Sequence, residues 1–315
     1  MKPRGASHVA SRGEGTAGAV GDDPYRRGRA LRWKALLGLT GIGLYAAWVE
    51  PRWVEVTCRE FHLPRLPAAW DGLRIAHLTD LHFGDMQPAR DIRSAIDRVL
   101  ALAPELVLIT GDFVSGLGLL GSEARAALAA MAAAPLGAFA VLGNHDHRAG
   151  ASEVIEATRA AGIHLLRNAH VTLSRGGAPL TLLGVDWPRT HLYHLPERHR
   201  HRHFERLARS LDQANAGVPP DHCRILLVHG PDLFPRAAEV GIDLTLCGHT
   251  HGGQVRFPLV GAVRVPCATG TRYAAGFFRA GQSQCYVSRG IGMVGIPVRF
   301  LCRPEVGLYT LRRAG

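Results

Sequence analysis

Short apolar runs alternate with amphipathic stretches along most of the chain. Four of these runs are rich in leucine, isoleucine and valine and end in polar or glycine residues, which is typical of buried strands. They are Leu73–Leu78, Leu106–Thr110, Ala138–Leu142 and Leu244–Cys247. Apolar positions at helical spacing predict a helix over 88–103, and alanine-rich segments predict helices over 122–134 and 152–161, with Ser122 and Ser152 as N-caps. The alternation predicts an α/β fold.

Further strand signals lie on either side of this region. Apolar and β-branched residues predict strands at Leu180–Val185, Arg224–Val228, Val255–Phe257, Val263–Val265 and Gln284–Ser288. The alternating segment Arg52–Arg59 predicts an edge strand. We therefore expect one large domain over residues 51–315, since single α/β domains reach about 250 residues.

The first fifty residues have a different character. Residues 1–34 mix glycine, alanine, serine and arginine without apolar periodicity, which predicts a disordered basic leader. Residues 35–50 form an apolar segment that predicts a membrane anchor or signal-anchor, although a spanning helix usually needs about 20 apolar residues. Trp48 and Trp53 fit interfacial anchors. A cleaved signal peptide and a helix lying on the membrane surface are the alternatives.

Polar residues follow the ends of the predicted strands. They are Asp80, His82, Asp112, Asn144, His145, Asp146, His229, His249 and His251. Because parallel strands present their carboxyl ends at one edge of a sheet, we expect these side chains to share one site. Carboxylate and imidazole donors suit manganese, iron or zinc. Any one of these residues alone would be weak support, because polar residues often close strands for structural reasons.

In their order, these motifs resemble those of the calcineurin-like metallophosphoesterases: D-x-H, G-D, G-N-H-[DE], a lone His and G-H-x-H. The resemblance covers roughly Val49 to Leu311. Other segments are similar to the membrane-associated bacterial YaeI/YkuE-like phosphodiesterases, namely Val49-Glu50-Pro51, His249–Gln254, Tyr286–Gly290, Pro297–Phe300 and Arg303-Pro304-Glu305. The resemblance implies a calcineurin-like four-layer αββα sandwich, two mixed β-sheets flanked by helices, with metals at the strand C-terminal ends.

The resemblance also implies roles for individual residues. One metal would be held by Asp80, His82 and His251, the second by Asn144, His229 and His249, with Asp112 bridging them. Two divalent ions are expected, manganese first, with iron or zinc as alternatives. His145 would support the leaving group, and Asp146 would either orient a histidine or cap a turn. Phe113 stands where iron-zinc purple acid phosphatases carry a tyrosine ligand, which disfavours a tyrosinate-bound iron.

These expectations define a membrane-associated phosphoesterase that needs two metals and cleaves a phosphodiester or pyrophosphate bond. The net charge of +11 comes almost entirely from arginine. It favours an anionic phosphoester substrate, including a lipid or a nucleotide-linked lipid sugar such as UDP-diacylglucosamine. Nucleic acid is disfavoured because no basic run alternates with aromatic residues. A phosphomonoester or phosphoprotein phosphatase and a non-catalytic metal-binding module are the alternatives.

The charge pattern also predicts a location. Arginines precede the apolar segment, so the N-terminus is expected in the cytoplasm and the domain outside it, tethered to the inner membrane by a single anchor. The six cysteines have no C-x-x-C spacing, and the sequence assigns them no disulfide pairing. Oligomeric state is left open.

A few other polar residues have two interpretations each. The histidine- and arginine-rich stretch 191–209 is interpreted as a solvated helix or loop, or as a cap that meets an anionic substrate. His77 is expected to be packed in the core. Arg289 and Arg299 fit either a phosphate contact or pairing with a carboxylate.

Overall fold

The computed structural model describes residues 24–84, 86–116, 120–189 and 197–314. The chain divides after Gly43 into an N-terminal unit and a large compact unit that begins at Leu44. Helix α1 (Pro24–Leu44) exposes every side chain from Leu31 to Leu44. Among the residues that the structure describes, no helix has both the length and the apolar character needed to cross a bilayer.

The N-terminal boundaries differ from those predicted. Residues 24–34 belong to α1 rather than to a disordered leader. Their arginine, leucine and alanine residues favour helix, and the helix continues directly into the apolar segment. Residues 1–23 lie outside the described part of the chain. The predicted anchor segment ends inside the large unit, where a π-helix (Tyr45–Val49) and a 3₁₀ turn (Glu50–Arg52) bury Ala46, Glu50 and Pro51.

The large unit contains two six-stranded mixed sheets. In the first sheet, the spatial order is β1 (Glu55–Leu63), β14 (Glu305–Arg313), β2 (Arg74–Leu78), β3 (Leu106–Thr110), β4 (Ala138–Val141) and β5 (Ile163–Leu165). Only the β14 and β2 pair in this sheet is antiparallel.

In the second sheet, the order is β12 (Gly276–Ala280), β13 (Ser283–Val287), β9 (Leu244–Cys247), β8 (Cys223–Val228), β7 (Ala178–Val185) and β6 (Ala169–Arg175). The outer pairs, β12 with β13 and β6 with β7, are antiparallel, and the inner pairs are parallel. A separate short hairpin joins β10 (Arg256–Phe257) and β11 (Gly261–Ala262).

Helices cover the outer face of each sheet. The remaining helices are α2 (Ala89–Leu100), α3 (Ser122–Ala132), α4 (Asn144–Ala149), α5 (Ala151–Ala161), α6 (Glu197–Asn215) and α7 (Phe234–Glu239). Apolar residues of α2, α3 and α5 pack on the first sheet, and those of α6 and α7 pack on the second. A third apolar core lies between the sheets. These four layers confirm the predicted αββα sandwich.

Alternation along β3 shows why the central strands are continuous apolar runs. Leu106 and Leu108 lie in the core between the sheets, whereas Val107 and Ile109 lie in the core beneath the helices. A parallel strand covered on both faces has no solvent side, so each position is apolar.

Several predicted elements differ in detail. The strand expected at Val263–Val265 is wrong, because the hairpin pairing ends at Ala262 and the chain turns into the site from there. Gly121 and Gly150, rather than Ser122 and Ser152, are the N-caps of α3 and α5.

The C-terminal segment that resembles the bacterial branch is structural. The Arg299 side chain is fully buried and donates to the carbonyls of Gly290 (3.1 Å), Gly292 (2.6 Å) and Cys302 (3.2 Å). Arg289 pairs with the buried carboxylate of Glu305 at 2.8 Å. Both arginines therefore hold the loop that leads into β14, Arg289 through the expected carboxylate pair and Arg299 through backbone carbonyls.

Replacing Glu305 by alanine is expected to lower the free energy of unfolding by about 3 kcal/mol, because one partner of a buried ion pair would be left uncompensated. Glu305 is 1% exposed and also accepts a hydrogen bond from Tyr286 at 2.6 Å. Urea unfolding measures the loss. The control is Glu60→Ala, which removes the half-exposed partner of Arg312 and should cost less than about 1 kcal/mol. Equal losses would contradict the prediction.

The same pair makes stability depend on pH in the acid range. Burial alone would raise the pKa of Glu305, but Arg289 and Tyr286 lower it below the ordinary value of 4.5. The stabilisation is therefore fully present above the pKa of the unfolded chain and is lost as the pH falls through the lower folded value. Glu305→Ala should remove this part of the acid dependence.

Candidate metal centre

Each candidate ligand lies just beyond the carboxyl end of a strand. Asp80 and His82 follow β2, Asp112 follows β3, Asn144 follows β4, His229 follows β8, and His249 and His251 follow β9. Five of these residues have positive φ: Asp80 (52°), His82 (50°), Asp112 (55°), His249 (70°) and His251 (50°). Such backbone costs roughly 1–3 kcal/mol per residue and clusters at functional sites. The backbone of these loops therefore positions the side chains at a cost in stability.

The first group of donor atoms surrounds one point. His82 Nε2 and His251 Nε2 are 3.2 Å apart, and Asp80 Oδ1 lies 3.8 Å and 3.4 Å from them, respectively. These side chains are 0–4% exposed. The arrangement brings together the three residues predicted for one metal.

The second group shares Asp112. Its Oδ2 atom is 3.1 Å from His229 Nε2 and 3.6 Å from His82 Nε2 of the first group. His229 Nε2 is in turn 3.0 Å from His249 Nδ1. Asp112 therefore lies between the two groups of donor atoms.

Asn144 lies beside the same two imidazoles. One terminal atom of its carboxamide is 3.1 Å from His249 Nδ1 and 3.3 Å from His229 Nε2, and the other is 2.7 Å from Arg148 Nη2. The oxygen and nitrogen ends of an amide are assigned from their neighbours. Oxygen toward the rings makes Asn144 a ligand, whereas nitrogen there makes it a hydrogen-bond donor to them. Arg148 favours the second orientation, with the amide oxygen accepting from its guanidinium, and a cation bound beside the rings would require the first.

Backbone carbonyls orient the histidines of the second group. His229 Nδ1 lies 2.7 Å from the carbonyl of Thr110, and His249 Nε2 lies 2.9 Å from that of Pro266. A ring nitrogen that donates to a carbonyl leaves the opposite nitrogen as a lone-pair donor. The opposite nitrogens, His229 Nε2 and His249 Nδ1, are the atoms that meet at Asp112 and Asn144, and a bound metal would replace the proton that Asp112 otherwise favours on His229 Nε2.

Asp146 serves the loop and not a histidine. Its carboxylate accepts from the backbone amides of Asp112 (2.9 Å), Phe113 (2.8 Å), Val114 (3.3 Å) and Gly143 (2.9 Å). Within the described residues it has no histidine partner, so the turn-capping interpretation is the one that the structure supports. Asp146 therefore fixes the backbone from which the Asp112 carboxylate projects.

The electrostatics of the cluster fit a bound cation. Burial lowers the pKa of His82 to about 3 and that of His251 well below its ordinary value, so both rings are neutral donors. Asp80 Oδ1 is buried and has no hydrogen-bond partner among the described residues. A buried anionic oxygen facing two imidazole lone pairs is costly unless a positive charge lies between them. Neutral imidazoles and carboxylates without thiolate are donors for manganese, iron or zinc.

Asp112 and His229 shift each other's pKa in opposite directions. Burial alone would raise the pKa of Asp112, but His229 lowers it well below its ordinary value. Burial alone would lower the pKa of His229, but Asp112 raises it to about 9. The bridging carboxylate is therefore ionised throughout the neutral range.

His145 projects from the N-terminus of α4 beside this cluster. Its Nδ1 lies 2.7 Å from the Ser115 carbonyl, and its ring is perpendicular to that of His82, with centroids 4.8 Å apart. It lines a cavity of about 420 Å³ together with Asp112, His249 and His251. The cavity is also lined by the apolar residues Val255, Val265, Val294 and Ile296 and by the polar Gln254 and Arg264.

Other predicted residues lie away from the cluster or outside the description. His77 is fully buried, 2.9 Å from Thr110 Oγ1, as expected of a packed residue. Phe113 is part of the apolar core. Residues 190–196 of the histidine-rich stretch are outside the described chain, and the remainder belongs to α6.

Some contributors to the site had no sequence signal. Pro266 acts through its carbonyl, which any residue has. Trp187 packs against the His249 ring with centroids 5.6 Å apart, and Thr79 donates to Asp80 Oδ2 at 2.8 Å. The adjacency of Thr79 to Asp80 could have suggested its role, but nothing local marks the other two.

Replacing Gly143 by alanine is expected to lower activity by about a hundredfold, because a displacement of about 1 Å at a reacting centre has that effect. A Cβ at Gly143 would overlap Asp112 Oδ1 and lie 2.6 Å from the Asp112 nitrogen. Hydrolysis of a model diester measures the effect. Gly121→Ala is the matched control, since Gly121 is also a helix N-cap but a Cβ there meets nothing within 4 Å. Full activity in Gly143→Ala would mean that Asp112 does not need its observed position.

Comparison with known proteins agrees with the order of the motifs. Residues 73–253 match the sequence profile of the calcineurin-like phosphoesterases. The chain is 30% identical to the uncharacterized metallophosphoesterase YkuE of Bacillus subtilis, over 90% of this chain and 94% of YkuE. It is also 30% identical to the phosphodiesterase YaeI of Escherichia coli, over 86% of this chain and 93% of YaeI.

A third relative has a named lipid substrate. UDP-2,3-diacylglucosamine pyrophosphatase LpxG of Chlamydia trachomatis is 25% identical over 84% of this chain and 91% of LpxG. Two mixed sheets, clustered carboxylates and imidazoles at their strand ends, and the profile match all agree. The chain therefore belongs to the calcineurin-like phosphoesterases and is a metal-dependent phosphoester hydrolase.

Proposed function

We propose that this protein is a membrane-associated phosphodiesterase or pyrophosphatase that uses two manganese ions and cleaves a phosphoester with a lipid portion. The proposed substrate class includes nucleotide-linked lipid sugars, the class named for LpxG, and glycerophospholipids. The proposed metal ligands are the seven residues of the cluster, with Asp112 bridging.

The mixed lining of the cavity supports this proposal. The cavity is lined by polar residues of the cluster, including Asp112 and His145, and also by valine and isoleucine side chains. A phosphoryl group suits the polar residues, and an apolar substituent on the same molecule suits the valine and isoleucine side chains. A small, fully polar phosphomonoester would leave those apolar side chains without a partner.

Each proposed residue has a defined task. Bound divalent ions would neutralise the phosphoryl oxygens and supply an activated water. Asp112 and Asp80 contribute the negative charge that holds these ions, and Asp146 keeps the Asp112 loop in place. His145 lines the cavity with its Nδ1 2.7 Å from the Ser115 carbonyl, and in its protonated form it would stabilise or protonate the departing oxygen.

Membrane association rests on the N-terminal helix. In α1, Arg29, Arg32 and Lys34 precede the apolar residues, and Leu36, Leu37, Leu39 and Ile42 are exposed. An apolar surface of this kind with basic residues at one end suits anionic lipid. The positive end is proposed to stay in the cytoplasm with the catalytic unit outside the inner membrane. Protease added to intact spheroplasts should then degrade the catalytic unit, and complete protection would contradict this orientation.

Substrate turnover tests the proposed reaction. Detergent-solubilised protein with added manganese should hydrolyse bis-p-nitrophenyl phosphate faster than p-nitrophenyl phosphate, and it should cleave UDP-2,3-diacylglucosamine or a glycerophospholipid in mixed micelles. Intact lipids alongside rapid diester hydrolysis would remove the lipid from the proposal. Faster monoester hydrolysis would favour a phosphomonoesterase or phosphoprotein phosphatase.

Metal analysis tests the cofactor. Protein purified without chelator should contain two equivalents of metal, and manganese should restore more activity than zinc or iron after chelation. Preferential restoration by zinc would replace manganese in the proposal without changing the ligand set.

A further inference from the structure

The hairpin between β10 and β11 exposes a run of apolar residues beside the cavity. Phe257, Pro258, Leu259 and Val260 are consecutive and all exposed, and the exposed Val263 comes directly after the return strand. Soluble surfaces rarely carry four consecutive exposed apolar residues without a binding function. We call Phe257, Leu259, Val260 and Val263 the hairpin tip.

The conformation at Leu259 makes fold stability a poor explanation for this side chain. Leu259 has a φ of 66° and a side chain that is fully exposed, and Val260 N donates to the Pro258 carbonyl at 2.8 Å across it. Leucine pays a steric cost in this left-handed conformation that glycine or asparagine largely avoids. Because Leu259 packs against no other residue of the core and has an unfavourable backbone conformation, we attribute it to contact with a binding partner.

The segments that enter and leave the hairpin line the cavity. Val255 and Val265 flank the hairpin and line the cavity, as does Ile296, which is itself 52% exposed. The Gln254 side chain connects the start of the hairpin to the segment 294–296, because its amide group donates to the carbonyls of Val294 and Ile296. A surface that binds the hairpin tip would therefore lie next to the entrance of the site.

The segment 294–301 links the hairpin to two exposed tryptophans. Arg256 N donates to the Phe300 carbonyl at 2.9 Å, and Leu301 N donates to the buried Glu50 carboxylate at 3.0 Å. Trp48 and Trp53, on either side of Glu50, are 65% and 52% exposed. Tryptophan is enriched at membrane interfaces, where its ring is apolar and its N–H meets the headgroups. In the chain, Trp48 directly follows the apolar segment that begins at Ala35.

Charge selects the kind of partner. Arg52, Arg256 and Arg303 lie within or next to these segments, in a protein with a net charge of +11. Arg52 pairs with Asp91 at 2.9 Å and Arg303 with Glu55 at 3.7 Å, and both arginine side chains remain partly exposed. A projecting apolar tip flanked by arginines and tryptophans matches the boundary of an anionic bilayer, in which the tip reaches the acyl chains and the arginines meet the phosphates.

We propose that the hairpin tip inserts into the surface of an anionic phospholipid bilayer and holds the entrance of the site against it. This inference deepens the membrane association in the proposed function and adds a second contact, independent of the N-terminal helix. A lipid substrate would then pass from the bilayer to the cavity along the apolar residues Val255, Val265 and Ile296.

Site-specific fluorescence tests the contact directly in the full-length protein. Leu259→Trp is mixed with vesicles of phosphatidylethanolamine and phosphatidylglycerol whose acyl chains carry bromine. The emission added by this tryptophan should shift to the blue and be quenched. Leu102→Trp is the matched control, because Leu102 is also exposed but precedes β3 at the opposite edge of the sheet. Unquenched emission at position 259 would overturn the proposal, even if the N-terminal helix binds the vesicles.

Kinetics give a second readout. The double variant Leu259→Asn and Val260→Ser should hydrolyse soluble bis-p-nitrophenyl phosphate at the parent rate. Its turnover of a lipid presented in vesicles should fall by about tenfold, because two inserted apolar side chains are lost. Its thermal stability should stay the same or rise, since asparagine tolerates the positive φ. An equal fall in both rates, or no fall in either, would overturn the proposal.

These experiments separate the surface from the substrate. Quenching at position 259 without lipid hydrolysis would support the bilayer contact and contradict only the proposed lipid substrate. Lipid hydrolysis without quenching would support the lipid substrate and contradict the bilayer contact. A dimer in sedimentation equilibrium that the double variant converts to a monomer, with no quenching, would assign the hairpin tip to self-association and overturn the bilayer contact.

Discussion

Replacing Asp112 by asparagine is expected to lower phosphodiester hydrolysis by about a thousandfold and to reduce the bound metal from two equivalents to one or fewer. Asp112 Oδ2 is within 3.1 Å of His229 Nε2 and 3.6 Å of His82 Nε2, so it is the carboxylate shared by both groups of donors. The change keeps the shape of the side chain but removes the negative charge that would separate two cations. Metal analysis and steady-state kinetics on the same preparation measure both effects.

The control removes a carboxylate that lies away from the cluster. Asp97 is half-exposed on α2 and pairs with Arg93, so Asp97→Asn should leave metal content and activity unchanged. The Asp112→Asn protein should still fold, because Asp146 continues to hold the backbone of its loop. Two tightly bound metals with near-normal activity in Asp112→Asn would contradict the bridging role.

Replacing His145 by alanine is expected to lower kcat by about 10²–10⁴-fold while two metals stay bound. The imidazole is 8% exposed at the cavity, and the Ser115 carbonyl fixes one of its nitrogens. The deficit should depend on the leaving group. It should be smallest for p-nitrophenolate, which departs without a proton, and largest for an alkoxide, which needs one.

Two outcomes would reassign His145. Its ring also groups with His82 and Asp112 closely enough to hold a metal, so loss of metal in His145→Ala would make it a ligand. A deficit independent of the leaving group would make it an electrostatic contact to the phosphoryl group. His147→Ala is the neighbouring control, since His147 faces Asp186, 3.9 Å away, rather than the cluster.

The strands that carry the candidate ligands were predictable because they are buried on both faces. β3 and β9 have the predicted bounds, and β2, β4 and β8 differ by a residue or so at one end. Their apolar runs are short and end in polar residues, which is a local signal. β6 was missed because its seven residues alternate between half-buried and exposed positions, and β14 because it pairs with β1 and β2, which are distant in sequence.

The roles of the arginines depended on partners that local sequence does not reveal. From the sequence, Arg289 and Arg299 were compatible with a phosphate contact. In the structure Arg289 pairs with Glu305, and Arg299 donates to loop carbonyls. From the sequence, Asp146 could also have oriented a histidine, but in the structure its carboxylate accepts hydrogen bonds from four backbone amides. In each case the nearest partner is a backbone group or a residue on another element.

The sequence alone determined the order of the donor motifs and the main strands, because motif spacing and apolar periodicity are local properties of the chain. The αββα layering followed from the resemblance of those motifs to the calcineurin-like phosphoesterases. Tertiary structure decided which nitrogen of each histidine faces the cluster, that Pro266 and Trp187 position His249, and that apolar residues project beside the cavity. These depend on which surfaces meet after residues far apart in the chain have packed, and no short segment contains that information.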